Sequence, residues 1–121
     1  MENRHIQSYR DLKMWQKAKN FAVDIYKTTE KFPKEELYGI TSQLRRASVS
    51  IPSNIAEGFR RKFPREKVQF LRMAYGSGAE IDTQLTIARE LNYLEGARYD
   101  ALSRELTEIM KIINVVINKL Q

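Results

Sequence analysis

Few side chains in this sequence can do covalent or acid–base chemistry. There is no Cys, and the single His, His5, stands near the N-terminus. Without thiols there is no disulfide, no cysteine nucleophile and no thiolate metal site, and nothing points to secretion. With one His there is no Glu-x-x-His pair of the kind that holds two irons in a helical bundle, and no late histidine for a helical RNase. Glu105 and Glu108 have local spacing that suits Mg²⁺, but their positions lie off the apolar face and lack an acidic partner pair. Gly76-Ser77-Gly78 is neither a P-loop nor a dinucleotide fingerprint, because no strand precedes it; its glycines read as points of close helix packing. Glu57 and Glu80 form the one carboxylate pair with catalytic promise, and Arg46 offers them a structural counter-charge. The inventory predicts a protein that is not an enzyme, with no catalytic residue, no metal and no cofactor.

Charge carries a different chemistry. The 21 Lys and Arg exceed the 15 Asp and Glu by six. The excess is uneven: residues 36–67 hold 7 basic and 3 acidic side chains, whereas 68–95 hold 2 and 4. It is densest in GFRRKFPREK at 58–67, where Arg60, Arg61, Lys62, Arg65 and Lys67 surround a single Glu, with Phe59 and Phe63 interleaved. Lys13 and Lys17 add to it from the first helix. Such a cluster can neutralise phosphates, and an exposed ring beside it can stack on an unpaired base. The same residues also suit a solvated surface with both Phe side chains as core plugs. RNA or DNA is therefore one expected partner. The alternative is a protein-interaction scaffold whose charge serves solubility.

A polar stripe is the other unusual feature. Gln43, Arg46, Ser50, Asn54 and Glu57 share one helical face beside an apolar stripe, and Ser77, Glu80 and Gln84 recur with matching spacing on the next helix. The two stripes are expected to meet as a buried network in which Arg46 pairs with Glu57 or Glu80. Pro52 lies inside this segment. Its missing N–H and its ring predict a kink near Ser48, with Ser48, Ser50 and Ser53 occupying the freed groups.

The elements that position these residues follow from apolar periodicity. Met14, Trp15, Ala18, Phe21, Ala22, Ile25, Tyr26 and Thr29 mark a first helix over about 10–31, which Ser8 and Asp11 open as a weak capping box and Phe32-Pro33 ends. Leu37, Ile40, Leu44, Ala47, Ile51 and Ile55 mark a second over about 36–58. Pro64 begins a third over about 65–92, with Phe70, Leu71, Ala74, Ile81, Leu85, Ala88 and Leu91 inward. A fourth, over about 97–120, carries Tyr99, Leu102, Leu106, Ile109, Met110, Ile113, Val116, Ile117 and Leu120. Short joints make these helices antiparallel neighbours, so the expected fold class is all-α: a single-domain, up-down-up-down four-helix bundle over 1–121. Leu12 and Val23 on the first helix, and Ile112 and Val115 on the fourth, lie beside the main stripes and point to a homo-oligomer. The longest uncharged stretch, Ala47–Ala56, is far shorter than the ~20 residues of a membrane helix. A soluble, cytoplasmic protein is expected.

Three runs carry a resemblance over nearly the whole chain: QLRRASVSIPSNIAEG at 43–58, GSGAE at 76–80, and FPKEELYG at 32–39 after Trp15-x-x-Ala18. Together they resemble the four-helix-bundle proteins encoded by bacterial 23S rRNA intervening sequences. That resemblance extends to the accessory variability protein of diversity-generating retroelements, a five-membered ring that binds nucleic acid and a reverse transcriptase. It implies a homopentamer, to whose contacts the first and fourth helices are expected to contribute because they carry the surplus apolar residues.

Overall fold

Four helices account for most of residues 6–121, the part described by this computed structural model, and no strand occurs among them. They are α1 (Lys13–Thr29), α2 (Ile40–Arg60), α3 (Pro64–Glu90) and α4 (Gly96–Leu120); 3-10 turns at Tyr9–Asp11 and Lys34–Glu36 precede the first two. His5 lies outside the described residues.

The helix ends differ from the expected bounds for local reasons. Ser8 and Asp11 do form a capping box, with Asp11 Oδ2 accepting from Ser8 N at 3.2 Å, but it caps a 3-10 turn and α1 starts only at Lys13. Similarly, Pro33 leads into the Lys34–Glu36 turn, leaving Leu37 47% exposed, and α2 begins at Ile40. There Glu36 reaches forward: its Oε1 accepts from Ile40 N at 3.4 Å and its Oε2 from Tyr93 OH at 3.0 Å. That bond raises the Tyr93 hydroxyl above its ordinary pKa. Gly39 leaves room for this carboxylate, because a Cβ would sit 2.5 Å from Glu36 Oε1.

α3 ends in a left-handed turn. Asn92 has φ 63°, Tyr93 N donates to Ala88 O at 3.0 Å and Asn92 N to Arg89 O at 3.1 Å, the paired bonds of a Schellman cap. Asparagine tolerates this conformation because its short polar side chain reduces the left-handed penalty.

Each helix packs against the next, and α1 also packs against α4. Contacts across α1 and α4 run in opposite chain directions: Lys17 meets Glu108 while Arg98 meets Thr28. On the other side Ser50 meets Ser77 while Gly58 meets Lys67. The core is the expected apolar set, with Phe21, Ile25, Leu44, Ile51, Ile55, Ile81, Leu85, Leu102, Ile109 and Ile113 all but removed from solvent. Phe32 and Leu94 join it from the connections, and Phe32 lies against the Tyr93 ring. Tyr26 and Leu91 were expected inside and are exposed. Of the two Gly76-Ser77-Gly78 glycines, only Gly78 allows close packing: a Cβ there would collide with Met110, whereas Gly76 faces open space.

Pro52 is buried within a helix that runs continuously from Ile40 to Arg60. The nearby serine hydroxyls are engaged elsewhere. Ser48 Oγ donates to Arg45 O at 2.9 Å, Ser50 Oγ joins Asn54 and Ser77, and Ser53 is exposed. No helix among the described residues is long and apolar enough to cross a membrane.

Candidate nucleic-acid interface

The connection between α2 and α3 is only three residues long, Arg61 to Phe63, and it concentrates charge. Phe63 occupies the N-cap position of α3 in extended conformation, Pro64 opens the helix, and no side chain caps the first-turn amides. Those amides add a positive partial charge to the joint. The carbonyl end of α2 would oppose it, but Lys67 lies over that end. Its Nζ donates to Phe59 O at 2.9 Å and to Gly58 O at 3.4 Å, and its ammonium stands over the Phe59 ring.

The seven cations expected to meet phosphate divide into two groups. Lys67 caps α2. Arg61 Nη2 donates to Glu57 Oε2 at 2.6 Å, with its guanidinium over the Phe70 ring, and Lys17 Nζ donates to Glu108 Oε1 at 3.1 Å. These three are bound within the fold. Arg60, Lys62, Arg65 and Lys13 are exposed. The turn at Tyr9–Asp11 packs on α2 and brings the start of α1 to the same end of the bundle, with the Arg60 guanidinium 5.9 Å from the Tyr9 ring centroid. Arg10 belongs to this end too, poised over Tyr9 and Trp15. It stands outside the seven expected cations, although Tyr9 and Trp15 flanking it in the sequence are a signal. Phe63 is 58% exposed between Lys62 and Arg65, so it is not a core plug; Phe59 is half-buried under Lys67.

The expected buried polar network is corrected by the structure. The two stripes do meet, since Ser77 Oγ donates to Ser50 Oγ at 2.8 Å and Asn54 Nδ2 donates to Ser50 O and Oγ. That contact is part-buried, with Ser77 itself buried, but the rest of the stripes opens to solvent. Gln43, Arg46 and Glu80 are exposed, Glu57 pairs with Arg61, and among the described residues neither Arg46 nor Glu80 belongs to an ion pair. The reason is geometric: at ~100° per residue Arg46 stands nearly a half-turn from the buried Leu44, Ile51 and Ile55 row, where its side chain reaches water. The result is an open groove between α2 and α3.

The carboxylates gather differently from expectation. Glu57 and Glu80 are separated, one held by Arg61 and the other in the groove. Glu105 instead finds Asp24 across the α1–α4 seam. Burial first, then the charge of Asp24 and a hydrogen bond shared with it, raise the Glu105 carboxyl above its ordinary value, which Arg98 partly opposes. No cluster of three metal-ligating side chains occurs among the described residues.

The surplus apolar residues also redistribute. Leu12 and Ile112 are half-buried against the protomer's own core, while Val23 and Val115 stay exposed. Val23 joins Tyr26, Val49 and Pro52 in an apolar depression between α1 and α2.

The sequence model of a family described as 23S rRNA-intervening sequence protein matches residues 10–115. A crystal structure of a protein of unknown function from the S23 ribosomal protein family of Bacteroides thetaiotaomicron superposes with a TM-score of 0.78 at 23% identity. The alignment covers 86% of this chain and 97% of that one. That likeness establishes a shared fold. No curated protein matches the chain.

Proposed function

From the premise that the chain belongs to the 23S rRNA-intervening sequence protein family, we propose that it is a nucleic-acid-binding accessory protein without catalytic activity. Its binding surface is the α2–α3 end of the bundle. The observation that carries this reading is the exposure of Phe63 between Lys62 and Arg65, with Arg60 and Lys13 at the same end. Four cations supply backbone charge contacts, and the ring supplies a face for an unpaired base. The uncapped start of α3 adds to the attraction. Such a surface reads charge and shape ahead of sequence, so affinity falls steeply with salt.

The test is fluorescence anisotropy of a labelled single-stranded RNA across a salt series. Lys62→Glu and Arg65→Glu together should abolish binding while leaving the melting temperature intact, because both side chains are exposed and neither bonds within the fold. An unchanged affinity in this variant removes the surface from consideration.

A protein-contact role has one observation in its favour, the apolar depression at Val23, Tyr26, Val49 and Pro52. It supports self-association through α1 and α2. A homo-oligomer, pentameric by the family resemblance, would repeat the cationic end around an axis and multiply weak phosphate contacts.

A further inference from the structure

The groove between α2 and α3 has a volume of about 490 Å³ and a chemistry unlike that of the cationic joint. Arg46 and Glu80 both line it and are exposed, so it has no net charge of its own. Its floor is the Ser77 to Ser50 hydrogen bond. Gln84 also lines it, and its Oε1 is buried without a hydrogen-bond partner among the described residues. A buried acceptor lacking a donor is costly, and exchanging the amide oxygen and nitrogen would leave a donor unpaired there instead. Tyr38, 92% exposed just before α2, stands at the rim with its ring unsupported by packing.

We propose that this groove binds a guanine base. Guanine combines two acceptors, O6 and N7, with the N1–H and N2–H₂ donors on its other edge. The Arg46 guanidinium matches the acceptor pair. The Glu80 carboxylate matches the donor pair, whereas Gln84 Oε1 is buried below the groove surface and out of the base's reach. Tyr38 covers the ring by stacking. Adenine has no such match, since its unprotonated N1 would face the Glu80 carboxylate. Because Arg46 and Glu80 offset each other, the groove reads a base while the joint holds phosphates. Along α2 the two lie about 21 Å apart, from fourteen residues at the helical rise. A short single strand can span that distance. The inference deepens the nucleic-acid reading and rests on it for the strand that delivers the base.

Two measurements on the full chain separate the claims. In ligand-observed NMR, GMP should show contact and AMP none, and Glu80→Gln or Arg46→Gln should each remove the GMP signal without lowering the melting temperature. In anisotropy, the RNA heptamer UUUGUUU should bind about tenfold more tightly than UUUAUUU, the scale of one bidentate base contact. Substituting inosine, which lacks the 2-amino group, should give an intermediate affinity. Tyr38→Ala should weaken the guanine preference and Tyr38→Trp restore it. Equal binding of the two heptamers, with no GMP contact, overturns the guanine site and leaves the nucleic-acid reading standing. GMP contact that disappears in Glu80→Gln, without binding of any heptamer, supports a free-nucleotide site and overturns the nucleic-acid reading. GMP contact that survives both groove substitutions overturns the assignment to this groove.

Discussion

Lys67 Nζ lies 2.9 Å from the carbonyl oxygen of Phe59, so a lysine on the second turn of α3 closes the carbonyl end of α2. This pairing divides the basic run into structural and available charge. Lys67→Gln should cost about 1 kcal/mol of stability, the scale of a cation at a helix C-terminus. Lys62→Gln, at an exposed position, should leave the melting temperature unchanged and reduce the salt slope of RNA binding by about one. Thermal unfolding and a salt titration check the two effects separately.

Asn92 gives a backbone prediction. At φ 63° a β-branched residue is strained, so Asn92→Val should destabilise the protein by about 1–2 kcal/mol. Asn92→Gly should fall within a few tenths of the parent, because glycine enters that region without penalty. Urea denaturation of the two variants distinguishes this cap from a mere surface position. Equal losses in both would mean that the asparagine side chain, and not its backbone conformation, matters.

Glu105 predicts a pH dependence. Its folded-state pKa is raised, so the folded chain binds this proton more tightly than the unfolded chain does. Its contribution to stability is present below the unfolded pKa and is lost as pH rises through the raised folded value. Glu105→Gln should therefore be more stable than the parent at neutral pH and should flatten the decline above pH 4.5, the group's ordinary value. Melting temperatures over a pH series test the sign.

Val49 tests self-association. It is exposed beside Val23, Tyr26 and Pro52, so Val49→Lys places a charge in the apolar depression. Light scattering should report a smaller assembly, with protomer stability changed by no more than about 0.5 kcal/mol, as is usual for surface substitutions. A purely monomeric parent protein would remove the assembly from the proposal.

Much of the architecture was legible because helix periodicity is local. The Leu44, Ile51 and Ile55 row and the Leu102, Leu106, Ile109 and Ile113 row were identified from spacing and are buried as expected. Helix starts were less legible. Lys34–Glu36 and Tyr9–Asp11 satisfy the same helical signals with 3-10 turns, and propensity does not separate one turn of 3-10 helix from the first turn of an α-helix. The candidate site was half legible. The basic run at 58–67 was visible, and Glu57 four residues before Arg61 marked a helical ion pair, but nothing in the sequence told Lys67, which bonds across the joint, from Lys62 and Arg65, which do not.

Composition and spacing alone determined four amphipathic helices, an absence of cysteine chemistry, and a positive excess centred on one joint, because each depends only on residue types and their intervals along the chain. Tertiary structure decided which polar groups meet. Ser50 found Ser77, Asp24 found Glu105, and Arg46 was left facing an open groove, because these outcomes depend on the rotation and separation of neighbouring helices, and a helical wheel contains neither quantity.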